Sequence, residues 1–366
     1  MKEYFLDKKL NEREQNNSLR ALKIIEGNLI DFCSNDYLGI VKNKIIEKKA
    51  SHLLSHGSTG SRLLSGNYQL IEETEKLVAG FHEAESGLIF NSGYDANTGL
   101  LSCVPQKNDF IFYDQLSHAS LRDGMRLSYA TSFSFLHNNM EDLEKKLKSA
   151  ETNHQKFVVT ESVFSMDGDF AHLKEINEMC EKYDAALIVD EAHATGVVGG
   201  KGEGLVQQLN LQGKCFARIH TFGKACGAHG AIILGSEKLK KYLINFSRQF
   251  IYSTSLPPSS VEAIKVSYQT FPSMEKERKH LNQMVNVFKT REAKFKILKS
   301  ETPVQSVIIP GNEEVKMVAK LCQQKKMDIR PILYPTVPKG QERLRIVLHA
   351  FNSIEEVKSL IDFLRK

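Results

Sequence analysis

The sequence predicts an α/β protein, with a mainly parallel sheet in a large domain and a smaller α/β domain toward the C-terminus. Three observations predict it. From Ser86 to Leu234, short apolar runs alternate with helix-length amphipathic stretches, the spacing expected of βαβ units. Three of those runs end in reactive residues: 157–160 leads to Ser165, 185–189 to Asp190 and His193, and 216–222 to Gly223 and Lys224. After about residue 260 the pattern changes to a long polar helix, then strands 304–309, 328–333 and 343–348 separated by helices 312–325 and 353–365. The domain boundaries that follow are a lead-in segment 1–45, a large domain 46–260 and a small domain 261–366 that opens with the long helix.

Composition narrows the function class. Lys plus Arg number 49 against 44 Asp plus Glu over 366 residues, with neither sign gathered into a tail, which gives no reason to expect a nucleic-acid partner. The opening MKEYFLDKKLNERE is charged and lacks a signal peptide's apolar stretch, and no run approaches the ~20 apolar residues of a membrane helix. A soluble, cytoplasmic protein is the expectation. Cys33, Cys103, Cys180, Cys215, Cys226 and Cys322 show no C-x-x-C spacing, so neither a zinc site nor a disulfide framework is indicated.

In chain order, residues 1–32 read as a lead-in helix and a short strand, with Leu19, Leu22, Ile24 and Ile25 as the apolar positions. The segment HGSTGSRLLSGN (56–67) is a glycine-rich loop that permits close backbone approach to a ligand, and it lacks the context of a dinucleotide fingerprint. Leu70, Ile71, Thr74, Leu77, Val78 and Phe81 keep one face of the next helix. Strand 86–90 runs into NSGYDAN, where a new helix begins after Ser92 and Gly93; its free N–H groups and positive dipole end make a ready anion site. Strands 109–113, 131–135, 157–160 and 185–189 and helices 139–149 and 172–183 continue the alternation. Strands 216–222 and 231–234, joined by the tight GKACGAHG link, complete the sheet, and the prolines of FIYSTSLPPSS (250–260) start a helix.

In open α/β sheets the ligand crevice lies at the carboxyl ends of the strands, so Ser165, Asp190, His193 and Lys224 converge on one volume. Taken singly, a loop lysine or a strand-ending acid can be a solvated residue or a cap. Together they match pyridoxal 5'-phosphate, whose aldehyde condenses with a lysine amine and whose ring draws electrons only while its nitrogen stays protonated beside an acid. Gly223, Gly227 and Gly230, with Ala225, Ala228 and Ala231, keep bulk away from Lys224.

The segments TESVFSMDGD (160–169), LIVDEAHATG (187–196) and HTFGKACG (220–227) resemble the signatures of the α-oxoamine synthases, fold type I pyridoxal-phosphate enzymes. The resemblance runs from SNDYLGI (34–40) to YPTVPKGQERLRI (334–346). It implies that Lys224 holds the cofactor and takes the Cα proton, that Asp190 keeps the ring nitrogen protonated and that His118 stacks on the ring. Ser165 and His193 would bond the ring hydroxyl and the substrate side, while Ser92, the Gly93–Tyr94 amides and Thr221 meet the cofactor and its phosphate. Ser253 and Thr254 would reach the phosphate of a partner subunit, which implies a homodimer with shared sites. Arg345 and Asn35 would receive the amino-acid carboxylate, and Arg20 would lie near the acyl substrate.

By TFGK and IYSTS the biotin branch is favoured, with L-alanine and a pimeloyl thioester as substrates. The chain departs from that branch at Leu333, where an arginine is usual, and Arg330 stands three positions earlier. Open alternatives are a sister synthase using glycine or serine, another fold type I reaction such as an aldolase or aminotransferase, and a non-catalytic binding protein.

Overall fold

The computed structural model describes residues 3–22, 24, 27–51, 54–150, 154–289 and 294–365. Among these the strands are β1 (Ile30–Asp31), β2 (Ser86–Phe90), β3 (Phe110–Asp114), β4 (Thr131–Phe135), β5 (Lys156–Glu161), β6 (Ala185–Asp190), β7 (Ala217–Thr221), β8 (Ala231–Gly235), β9 (Lys296–Ile297), β10 (Val304–Ile308), β11 (Met327–Asp328), β12 (Arg330–Ile332) and β13 (Arg343–Val347). The chain divides into two compact units. One comprises Leu38–Ser165 and Phe170–Arg278; the other comprises Met1–Tyr37, Met166–Asp169 and Lys279–Lys366. No helix among the described residues is long and apolar enough to cross a membrane.

The larger unit is built on a seven-stranded sheet in the order β2-β8-β7-β6-β5-β3-β4. All neighbours are parallel except β8, which runs antiparallel to both β2 and β7. The reason is the length of its link: residues 222–230 are too few for the dozen or more that a parallel crossover needs. Alternate residues feed two cores, one on each face. Ile111, Phe157, Val159, Ile188 and Ile219 pack on one side with Leu100, Leu121 and Leu243, while Phe112, Val158, Leu187 and Val189 pack on the other with Leu143, Leu147, Leu173 and Ile176. Each such aliphatic side chain contributes about 1.5–3 kcal/mol on burial.

Two expectations about helices change here. Helix Gln69–Phe81 buries Ile71, Thr74, Glu75, Val78 and Ala79, so its inner face takes in Glu75 and leaves Leu77 at the surface. The long polar helix expected from 260 is two helices. Pro258–Thr270 is inward-facing, burying Val261, Ile264, Val266 and Tyr268, and a 3-10 turn at Phe271–Ser273 separates it from Glu275–Lys289. Pro272 sits in that turn and has no N–H to continue the helical ladder. The two units part within the second helix, at 278/279, whereas the sequence-read boundary of 260/261 falls inside the first.

The smaller unit holds an antiparallel sheet in the order β12-β13-β10-β9 and a parallel pair, β1 with β11. The single strand expected over 328–333 is thus two, because β11 pairs with β1 and β12 with β13. Helices Asn312–Gln324 and Ile354–Leu364 bury Val315, Ala319 and Cys322, and Val357, Leu360, Ile361 and Leu364; a capping box at Ser353 and Glu356 fixes the start of the latter. Residues 166–169, expected to belong with Ser165, join this unit: the Gly168 carbonyl accepts the Ser300 and Thr302 hydroxyls at 2.8 Å each, and Asp167 pairs with Arg343 at 2.6 Å. A Cβ at Gly168 would lie 2.1 Å from the Val304 carbonyl, so only glycine fits. The lead-in helix, Tyr4–Gln15, buries none of its residues. Leu19, Leu22 and Ile24 lie outside it and are exposed, while Ile25 falls outside the described residues.

Candidate active site

In the larger unit, β5 and β6 are in register so that Glu161 pairs with Asp190 at the carboxyl end of the sheet. Asp190 is 6% exposed. One carboxylate oxygen accepts the Ala192 N–H at 2.9 Å and the other accepts the Asn97 amide at 2.8 Å. Glu161 is buried beside it and accepts the His118 backbone N–H at 2.7 Å. Desolvation and then the Asp190 charge raise the Glu161 carboxyl to about 8, opposed by Lys224 and by the His118 N–H. His118 also feels both Asp190 and Lys224, and desolvation lowers its pKa. The residue as a whole is exposed, yet its imidazole is crowded enough for desolvation to dominate. The acid, the lysine and this histidine, far apart in sequence, are thus close enough to act on one another electrostatically. His193 and Ser165 are buried at the ends of the same two strands.

The helix expected after Ser92 is present, at Gly93–Cys103. Ser92 caps helix Gly93–Cys103 by accepting the Asp95 N–H, and its hydroxyl donates to the Asp95 carboxylate at 2.8 Å. Gly93 and Tyr94 lie in the first turn, where no helical carbonyl is available to their N–H groups. A Cβ at Gly93 would stand 3.3 Å from the Thr221 hydroxyl, which places Thr221 at this helix end. Tyr94 is about half exposed and donates to Asp123. Ser253 and Thr254 lie near this end too, since the Thr254 carbonyl accepts the Asn91 amide at 2.8 Å.

The glycines around Lys224 divide the labour differently from expectation. Gly227 and Gly230 have φ of +61° and +108°, and added Cβ atoms would meet Ile40 and the Phe90 carbonyl at 2.7 and 3.0 Å. They serve the tight turn and the chain's own packing. Gly223 alone faces space, with nothing closer than 3.9 Å to an added Cβ. In the 56–67 loop, likewise, Gly60 and Gly66 approach each other: a Cβ on Gly66 would lie 2.1 Å from the Gly60 carbonyl.

In the smaller unit, Arg345 on β13 donates to Asn35 at 3.0 Å, and the buried Tyr37 hydroxyl donates to the same Asn35 oxygen at 3.2 Å. Burial pushes Tyr37 up to about 12 despite Arg345. Arg20 is exposed and donates to the Thr336 hydroxyl at 2.9 Å. Arg330 stands directly across from Arg345 in the β12–β13 register and pairs with the buried Asp328 at 2.8 Å. A cleft of about 410 Å³, lined by Lys9, Leu10, Arg13, Ser18, Tyr334 and Pro335 among others, contains none of the expected site residues.

Sequence reasoning missed four contributors. Glu161 lay within the quoted TESVF segment, where its placement at a strand end was the available signal. Asn97 and Ser120 sit inside helices, and Tyr37 within SNDYLGI, where nothing in spacing marks them.

The fold and the family match place the chain among the fold type I pyridoxal-phosphate transferases. It belongs to the aminotransferase class I and II family, whose model matches residues 27–364, and within it to the α-oxoamine synthases. The 8-amino-7-oxononanoate synthase of Emericella nidulans is 39% identical, over 96% of this chain and 92% of its own. The solved 8-amino-7-oxononanoate synthase of Francisella tularensis is 27% identical with a TM-score of 0.76, covering 93% of this chain and 98% of its own. The Sphingomonas wittichii serine palmitoyltransferase is 26% identical with a TM-score of 0.89, covering 99% and 96%.

Proposed function

We propose that the protein is a pyridoxal-phosphate-dependent acyltransferase that condenses L-alanine with a pimeloyl thioester to 8-amino-7-oxononanoate, CO2 and a free thiol carrier. The observation that carries this reading is end-to-end similarity to a synthase of that name at 39% identity. The residues present fit the cofactor: a buried carboxylate fixed by amide donors, a capped helix N-terminus, and room beside Gly223 next to the lysine. When bound, pyridoxal phosphate supplies an electron sink for charge left on the amino acid's Cα.

The chain's own groups do the rest. Lys224 Nζ would hold the cofactor and would take the Cα proton as general base. The Asp190 carboxylate would keep the ring nitrogen protonated, His118 would lie against the ring, and His193 and Ser165 would serve the ring hydroxyl and the substrate side. Ser92, Gly93, Tyr94 and Thr221 would receive the phosphate. Arg345, steadied by Asn35, grips the alanine carboxylate as a bidentate fork, and Arg20 serves the acyl side. A bond forms from Cα to the acyl carbon as the C–S bond breaks and the thiolate takes a proton from solvent; the bond to the carboxylate then breaks to release CO2, and the proton held on Lys224 Nζ returns to Cα. The carrier is coenzyme A or an acyl carrier protein. A cytoplasmic homodimer, in which Ser253 and Thr254 reach the other subunit's phosphate, belongs to the same proposal and requires the mass of two chains in sedimentation equilibrium.

A sister synthase is the second reading, favoured by the higher TM-score of the serine palmitoyltransferase, 0.89 against 0.76. Thiol release assayed over a matrix of alanine, glycine and serine against pimeloyl, acetyl, succinyl and palmitoyl thioesters separates the two. Alanine with the pimeloyl thioester should exceed every other pair by at least tenfold in kcat/KM, and a faster pair elsewhere in the matrix refutes the first reading.

A further inference from the structure

The edge of His118 that faces the protein is tied to Asp190 through two side chains outside the assigned site. The Asn97 amide nitrogen donates one hydrogen to Asp190 at 2.8 Å and the other to the Ser120 hydroxyl at 2.9 Å. Ser120 stands 2.7 Å from His118 Nδ1, and the Ser120 backbone N–H also points at Nδ1, at 3.2 Å, because His118 caps helix Ala119–Leu127. Asn97 and Ser120 are 2% and 1% exposed, so water does not substitute for these bonds. The two helices that carry them come close because residue 124 is glycine. A Cβ there would lie 2.9 Å from the Asn97 carbonyl and 3.0 Å from Thr98 Cα.

Hydrogen-bond direction follows from the donor inventory. A carboxylate accepts, so Asn97 must turn its NH2 toward Asp190, and that NH2 then donates to Ser120 as well. A hydroxyl that accepts from Asn97 has its own hydrogen to give, and Nδ1 is the acceptor within reach. The Ser120 backbone N–H, at the longer 3.2 Å, favours a bare Nδ1 as well, though more weakly than the hydroxyl at 2.7 Å.

We propose that Asn97 and Ser120 are positioning residues that hold His118 as the neutral imidazole with its proton on Nε2, with Asp190 as the anchor of the relay. A neutral ring can lie against a cationic pyridinium without charge repulsion and present its π face to it; this consequence rests on the pyridoxal-phosphate reading, whereas the tautomer does not. Burial of the imidazole, which favours the uncharged form, acts in the same direction.

The test is nitrogen-15 NMR of histidine-labelled full chain without added cofactor, with His118 assigned by its loss in His118→Gln. In the wild type, His118 should show a protonated Nε2 and an unprotonated, hydrogen-bonded Nδ1. Asn97→Asp replaces the donor by an acceptor, so the Ser120 hydrogen turns toward it and the imidazole proton should move to Nδ1. Asn97→Leu, which adds no charge beside Asp190, should leave both tautomers populated. A wild-type proton on Nδ1, or an unchanged spectrum in both variants, overturns the proposal, and the wild-type spectrum decides the tautomer even if a variant fails to fold. Pyridoxal-phosphate uptake is read by absorbance on the same samples. Failure to load with the stated tautomer present refutes the cofactor reading and leaves the relay standing; loading with Nδ1 protonated does the reverse.

Discussion

Arg330 is where recognition and stability can be separated. It lies beside Arg345 on the same face of the small sheet and is about 29% exposed, while its partner Asp328 is nearly buried. Two guanidinium groups on adjacent strands suit a substrate pair bearing two carboxylates, but Arg330 also neutralises Asp328. Arg330→Ala should therefore destabilise the protein, by no more than the ~3 kcal/mol at the low end for broken buried pairs, because solvent screens the arginine. Arg330→Ala/Asp328→Asn should regain most of that loss in urea unfolding. If Arg330 also holds the far carboxylate of the acyl chain, both variants should show the same rise in KM for the pimeloyl thioester and little change for alanine. An acyl KM restored by the double variant would reduce Arg330 to a structural role.

At the scale of elements, periodicity located the strands of the large sheet to within a residue or so, because the interior strands are buried on both faces and their apolar runs have nowhere else to go, whereas the edge strand β4 is mostly exposed. Chemistry at the strand ends was legible for the same reason: Asp190 and Lys224 follow directly from where β6 and the β7–β8 link finish. What escaped was set by tertiary pairing. Pro272 divides a helix that polarity alone made continuous, and Ile329 separates two short strands that pair with different partners. Gly168 sits within a segment quoted for its resemblance, yet its structural role is the close approach to Val304 in the smaller unit, to which it belongs. Asn97 was hidden because a mid-helix asparagine is ordinarily a weak helix former, and only the neighbouring helix, brought in by Gly124, shows what it bonds to.

Across the whole molecule, buried titratable groups oppose one another in how stability varies with pH. Glu161 and Glu191 are raised to about 8 and about 7, chiefly by desolvation, so the native state keeps protons that the unfolded chain has lost above pH 4.5. Their contribution is full below pH 4.5 and disappears as pH rises through 7 to 8. His82 and His220, fully buried with their rings 3.8 Å apart, are held well below 6.5 by desolvation and by charged or imidazole neighbours. They stay neutral where the unfolded chain binds protons, so their contribution is present above pH 6.5 and lost as pH falls. Each unmatched proton changes stability by up to about 1.4 kcal/mol per pH unit. With His118, whose pKa desolvation also lowers, three histidines oppose two glutamates, so the wild-type profile rises gently from about pH 5 to 6.5 and then falls toward pH 8. Glu161→Gln keeps an acceptor for the His118 N–H and removes one titration, so urea midpoints of the cofactor-free chain should decline on the acid side of pH 6.5 and fall less steeply above it. A variant curve parallel to the wild type from pH 5 to 8 would mean that Glu161 is ionised throughout, and that Lys224 and the His118 N–H outweigh burial at the centre of the site.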